Sequence, residues 1–239
     1  MSMASVKITF LGHSGFTAEL PDCILVFDFH EDPAHVLEPI LHTGKPVYFF
    51  VSHVHGDHFN PEIRKFAAEN VMYVMHRDCI LTGVSEDHVC LMDVGGTFSD
   101  SRLCIEMGAS TDAGGSFWIR HPETSIFHAG DLNWWHWFGD PENANREALD
   151  AYFREIERVS GRSTDIAFFP VDARQEAARE WGAEAFLEAV EVKKAFVPMH
   201  AFGTRWNPSC HFRWRFRDVP VWVPCQNGDS YIVEDQTEN

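Results

Sequence analysis

The chain has 239 residues, 45% of them hydrophobic and 13% aromatic, with 36 acidic against 19 basic side chains and a formal net charge of −17. That apolar fraction excludes disorder as the main state, and the acidity excludes a phosphate ladder or an anionic leaflet, so neither nucleic acid nor membrane is an expected partner. Six scattered cysteines without a Cys-x-x-Cys pair, and no apolar run of signal-peptide or membrane-spanning length, predict a cytoplasmic protein with free thiols.

In chain order, residues 6–11 alternate and predict a first strand, 16–20 a partner for it, and 24–29 a short apolar run carrying Asp28 near its end. Residues 47–51 are wholly apolar, the pattern of a strand covered on both faces. A helix is predicted over 61–70, with Ile63, Phe66 and Ala67 on one face, and strands over 71–75, 103–107, 116–119 and 125–129. Past Asp140 the period lengthens. Leu149, Phe153, Ile156 and Val159 recur at spacings of 4, 3 and 3, which predicts a helix over 141–159, capped by Asp140 with Pro141 in its first turn. A strand over 166–171, a helix over 183–192, a strand over 195–198 and late strands over 221–223 and 230–233 follow, and a polar tail starts at Glu234. With no repeat and no linker, one α/β domain over residues 1–239 is expected.

The 14 histidines stand out, and four potential ligands crowd one loop. After the 47–51 strand the chain reads Ser52-His53-Val54-His55-Gly56-Asp57-His58. Imidazole and carboxylate are ligands that Zn²⁺ and its neighbours accept. In extended chain His53 and His55 project to one side, and a turn at Gly56 would carry Asp57 and His58 to a second point nearby. Two adjacent ion sites from one loop are the geometrical expectation.

This His-x-His-x-Asp-His run after a buried strand resembles the signature of the metallo-β-lactamase superfamily. Ile126-Phe127-His128-Ala129-Gly130-Asp131 is similar to its bridging-Asp loop, and Phe196-Val197-Pro198-Met199-His200 to the strand whose last His completes a metal site. The resemblance implies an α/β fold, an αβ/βα four-layer sandwich of two mixed β-sheets, with the ligands on loops along one edge. It also implies that His53 and His55 bind one metal, that Asp57, His58 and His200 bind a second, and that Asp131 bridges them. Zinc, one or two ions per chain, is the first expectation.

One position departs from the family pattern. The loop expected to supply another His reads Gly108-Ala109-Ser110-Thr111-Asp112-Ala113-Gly114-Gly115 and has none, so Asp112, or failing it Ser110 or Thr111, would supply oxygen. Oxygen there would favour Mn²⁺ or Fe²⁺, and an incomplete site is the alternative. Gly12-His13-Ser14-Gly15 resembles the opening of the lactonase-like branch, which makes His13 a proton donor, a ligand or a strand-end residue. Asp28 is similar to the family's buried aspartate that orients a ligand histidine. Asn133, Trp134 and Trp135 after the bridging Asp could line a substrate pocket, and Arg174 or Arg205 could receive an anionic group.

The resemblance implies a metal-dependent hydrolase in which metal-bound hydroxide attacks a small ester, lactone, amide or phosphodiester, with Asp57 and His13 as the catalytic side chains. The alternatives are a mononuclear iron oxygenase of the persulfide dioxygenase type and a binding module that retains metal. The expected partner is a small-molecule substrate. The oligomeric state is left open.

Overall fold

The apolar strands segregate their side chains by parity, and that segregation sets the layers. The computed structural model describes residues 5–234. Its strands are β1 (Val6–Gly12), β2 (Gly15–Glu19), β3 (Ile24–Phe27), β4 (Val47–Val51), β5 (Val71–His76), β6 (Val89–Met92), β7 (Thr97–Ser99), β8 (Cys104–Ala109), β9 (Gly115–His121), β10 (Thr124–His128), β11 (Ser163–Pro170), β12 (Glu191–Met199) and β13 (Ser230–Val233). The α-helices are α1 (Leu37–Leu41), α2 (Glu142–Val159), α3 (Trp181–Ala189) and α4 (Cys210–Arg215). One sheet runs β13-β1-β2-β3-β4-β5-β6 and the other β12-β11-β10-β9-β8-β7. Both are mixed: β3 to β6 and β10 to β12 are parallel, and the other named pairs are antiparallel.

Leu25, Phe27, Tyr48 and Phe50 face the second sheet, where Phe27 meets Phe168 at 5.5 Å and Phe50 meets Phe117 at 5.1 Å between ring centroids. Ile24, Val26, Val47, Phe49 and Val51 face the other way, under Leu37 and Ile40 of α1 and Ile63. On the far side of the second sheet, Phe127 and Phe169 stack on Phe186 of α3, and Phe196 packs on Phe212 of α4. Helices therefore cover the outer face of each sheet, giving the expected αβ/βα layering. Each fully buried Phe stabilises the fold by roughly 1.5–3 kcal/mol in transfer terms, so the aromatic contact between the sheets is a large share of what holds them together. Among the described residues no helix is long and apolar enough to cross a membrane.

Several predicted elements differ. Residues 61–70 do not form an α-helix. Pro61–Phe66 is a 3₁₀ turn whose first free N–H, on Glu62, is capped by Asn60, and Ala67 is already extended on the way to β5. The 183–192 helix ends early, because Val190 turns extended and β12 starts at Glu191. Asp140 does not cap α2: the helix follows Pro141 without a side-chain cap. The 221–223 strand reduces to one bridge, Val221 to Phe196. α1, α4, β6 and β7 carry too few residues to show a period in sequence. The tail beyond Glu234 lies outside the described residues.

Every parallel strand of the central region ends at the same edge. Asp28 follows β3, Ser52 and His53 follow β4, Asp131 lies three residues past β10, Asp172 two past β11, and His200 directly follows β12. Ligands of open α/β sheets collect at such carboxyl ends. The 108–115 segment is pressed on this edge: Gly115 N–H donates to Ser52 O at 3.1 Å, and a Cβ on Gly114, whose φ is +64°, would overlap Ser52 O and His53 Cβ. Gly56, inside the histidine loop, has open space around its Cβ position and no positive φ, so the turn there does not depend on glycine. Gly114→Ala should therefore cost about 2–4 kcal/mol in a denaturant melt and lower the bound metal, while Gly56→Ala should leave both nearly unchanged.

Candidate metal centre

A buried carboxylate must find donors, and Asp28 finds three. It is wholly buried, with a φ of +39°. Its Oδ1 accepts from Ser52 N at 2.8 Å, and its Oδ2 accepts from Ser52 Oγ and His58 Nδ1, both at 2.7 Å. With the Ser52 proton spent on Asp28, Ser52 Oγ accepts from His53 Nδ1 at 2.9 Å. Asp172 plays the same part for His200, whose Nδ1 donates to Asp172 Oδ2 at 3.1 Å. In all three rings Nδ1 is tied back, so the lone pair on Nε2 faces inward.

The inward atoms converge on Asp131. His58 Nε2 lies 3.1 Å and His200 Nε2 3.5 Å from Asp131 Oδ1, and His53 Nε2 lies 3.4 Å from Oδ2. His13 Nε2 stands 3.3 Å from Asp57 Oδ2, and the His13 ring lies 4.2 Å from that of His200. Further out, His55 Nδ1 is 3.9 Å from Asp112 Oδ2, both side chains being about half exposed. Three overlapping groups could hold an ion: His13-Asp57-His58-His200, His53-His58-Asp131 and His55-Asp112-Asp131.

Nε2 of His13, His53 and His58 and Oδ1 of Asp131 are buried without a hydrogen-bond partner. Buried polar atoms are nearly always satisfied, so these orphans, spread over two groups that share His58, mark places for cations. The charges agree. Without an ion, burial opposes a proton on His58, but Asp28 and Asp131 outweigh it and push the ring up to about 10. Burial dominates at His53 and lowers it to about 4. His13 is lowered by burial as well, while its ring nitrogen 3.3 Å away draws Asp57 well below the usual carboxylate range. At Asp172 burial is outweighed by His200 and Arg174, which bring it to about 2.

The centre opens into a cleft of about 370 Å³ walled by His55, Asp112, Asp131, Trp135, Arg174 and Phe202. Trp135 Nε1 donates to Asp131 O, so the aromatic also braces the loop it lines. Arg174 reaches the cleft with its guanidinium paired to Asp172 and laid 3.3 Å over the Phe202 ring. Asn133 and Trp134 do not line it. Asn133 is buried and donates from Nδ2 to Gln175, and Trp134 packs against Phe153 and Trp181, because the chain direction reverses at the neighbouring Trp135. Arg205 points elsewhere and donates to the carbonyls of Val223 and Pro224. Thr111 gives no ligand: its hydroxyl donates to Asn133 O at 2.6 Å and pins the loop past Asp131. His128 stacks on Phe27 and donates from Nε2 to Ser14 O, a structural role. Asp172 and Phe202 escape the sequence reading. A carboxylate just past an apolar strand, as at Asp28, was the available signal for Asp172.

Two facing mixed sheets, with His and Asp side chains gathered at their shared edge, define a metallo-β-lactamase fold, and similar solved structures share it. Igni18, a metallo hydrolase of the archaeon Ignicoccus hospitalis, has a TM-score of 0.66 over 97% of this chain and 100% of its own, at 17% identity. The metallo-β-lactamase fold protein YhfI of Bacillus subtilis has a TM-score of 0.55 over 96% and 99%, at 11% identity. These are likenesses of fold. In sequence, a UPF0173 metal-dependent hydrolase of Desulforamulus reducens is 30% identical over 217 residues, 82% of this chain and 84% of the relative, and one of Alkaliphilus metalliredigens is 24% identical over 215 residues, 82% and 85%. The chain belongs to the UPF0173 metal-dependent hydrolases. No family model matches it.

The raised His58 makes stability without metal depend on pH. Its folded value of about 10 exceeds the unfolded value of about 6.5, so its contribution is complete below about pH 6.5 and drains away as pH rises toward 10. Chelated protein should lose stability between about pH 6.5 and 8.5, at a slope of at most about 1.4 kcal/mol per pH unit. Denaturant melts should show that slope, and His58→Gln should flatten it.

Proposed function

We propose that the cleft hydrolyses a small ester, lactone, amide or phosphodiester with the help of one or two divalent cations. Zinc is the first choice, and Mn²⁺ or Fe²⁺ suits the oxygen-rich outer position. The observation that carries this reading is the set of orphaned buried atoms from His13, His53, His58 and Asp131, gathered in two groups that share His58. On this assignment His53, His55 and Asp112 hold one ion, Asp57, His58 and His200 hold a second, and Asp131 is shared between them. When bound, the ions acidify water toward neutrality and polarise the substrate's carbonyl or phosphoryl oxygen.

The protein's own groups do the rest. Asp28, Ser52 and Asp172 hold three imidazoles in one tautomer, so little reorganisation is needed when a ligand arrives. His13 Nε2 stands 3.3 Å from Asp57 Oδ2 beside the cleft and, kept neutral by burial, can take up a proton from water and pass it to a leaving group. Trp135 and Phe202 shield the reacting atoms from water, and Arg174 adds positive charge to the wall. The Gly12-His13-Ser14-Gly15 turn supports the lactonase-like branch. Six unpaired cysteines support a cytoplasmic protein.

Elemental analysis of freshly purified protein should give close to two ions per chain, falling toward one in Asp112→Ala. An unchanged count would remove Asp112 as a ligand. Chelated and reloaded protein should differ by at least about a hundredfold on one of a panel of esters, lactones and phosphodiesters, the order a polarising cation supplies. Equal activity of the two on every compound would sink the hydrolase reading.

A further inference from the structure

A second cavity of about 500 Å³ adjoins the cleft. The two share Asp57 and Phe202, and His13 lines the second one. Its walls include Phe10, Met199, Trp206, Val223 and Pro224. We propose that this cavity is the apolar subsite of the substrate: it takes an uncharged hydrocarbon group carried by the molecule whose scissile bond lies in the cleft, with Phe202 dividing the two compartments. The proposal rests on the hydrolase reading and gives its substrate a chemical class, an ester or amide with an aliphatic or aryl arm.

Three observations carry it. First, the charged groups of the wall are already spent or of the wrong sign for an anion. Arg205 donates to Pro224 O at 3.2 Å and to Val223 O at 2.9 Å, His30 bonds Gly56 O at 2.6 Å, and Glu31 and Asp57 present carboxylates. A neutral arm fits best, because an anion would meet the carboxylates of Glu31 and Asp57, while the Gln226 and Asn227 amides in the wall bring no charge to offset them. Second, the volume lies in the ordinary range for small-molecule sites, and the apolar wall would be released from water on binding.

Third, Phe202 is strained. Its φ is +45°, and an aromatic side chain gains nothing intrinsically from the left-handed region. The residues around it hold it there. Its ring meets His13 at 4.8 Å and His200 at 5.0 Å, both edge-on, while Arg174 covers it at 3.3 Å. Strain kept in place by its surroundings collects at ligand clamps. Here it sets an aromatic wall between the two compartments, against two of the histidines of the centre.

The thiols provide a readout that needs no turnover. Cys225 and Cys210 are both exposed, but Cys225 lines the cavity and Cys210 opens α4 outside it. In the full-length chelated protein, 1-octanol should slow iodoacetamide alkylation of Cys225, followed peptide by peptide, and leave Cys210 unchanged. The half-protecting concentration should rise about fourfold for each methylene removed on going down to 1-butanol. Val223→Trp, which fills the wall, should abolish the protection, and its Cys210 rate reports that the fold is intact. No protection, equal protection of both thiols, or protection independent of chain length overturns the proposal.

Metal-loaded protein offered p-nitrophenyl acetate, butyrate and hexanoate should show KM falling by about the same factor per methylene. Phe202→Ala should flatten that series by merging the compartments. Ester hydrolysis with flat KM and no thiol protection overturns the subsite alone. Protection without hydrolysis of any ester, lactone, amide or phosphodiester overturns the hydrolase reading and leaves an apolar binding site.

Discussion

Asp28 is a carboxylate with no access to water, and the chain around it is arranged to make that tolerable. An uncompensated buried charge would cost several kcal/mol, and here three donors from two consecutive segments answer it. The consequence is geometrical. Ser52 at the end of β4 must turn both its N–H and its hydroxyl toward Asp28, which leaves the Ser52 oxygen as the acceptor for His53. His58, six residues further on, must fold back to reach the same carboxylate. The shape of the histidine loop is thus set by one charge beneath it, and Gly56 has little part in it.

The same economy governs the strand ends. Asp28, Gly130 and His200 all have positive φ just past β3, β10 and β12, so the chain leaves each strand by a sharp turn. Such conformations cost on the order of 1–3 kcal/mol each for residues other than glycine. They persist because rings on the strands behind them are locked: Phe27 lies between Phe50 and the stacked His128, and Phe168 packs on Phe16. The aromatic layer between the sheets therefore does more than supply burial. It is the rigid base that holds strained strand ends in register with each other across two sheets.

What could be read from the sequence follows from how local each interaction is. His53, His55, Asp57 and His58 lie within six residues after an apolar strand, so their grouping needed no knowledge of the fold. Asp131 and His200 were legible only through resemblance, because nothing in their own neighbourhoods says that β10 and β12 end beside β4. Asp172 was missed although it repeats the logic of Asp28, since its partner His200 is 28 residues away and the pairing exists only once β11 and β12 lie parallel. Trp134 and Trp135 look alike in sequence, and backbone direction alone sends one to the core and the other to the cleft. The 61–70 segment had a plausible helical face, but its apolar residues serve the outer layer through a single 3₁₀ turn and an extended exit.

The two proposed ion positions are unequal, and the inequality has one source. His58 and His200 are buried and each is braced by a buried carboxylate, and His13 packs against His200. Ligands held in this way lose little freedom on binding, so the inner position can be occupied with most of the interaction energy retained. His55 and Asp112 are half exposed, and among the described residues no buried carboxylate braces His55 as Asp28 and Asp172 brace His58 and His200. The outer position has only His53 braced, through Ser52, so it must order His55 and Asp112 and accept an oxygen where a third imidazole would suit zinc better. An ion held there is the more exchangeable of the two, and it is the one that faces the open cleft through which a substrate would enter.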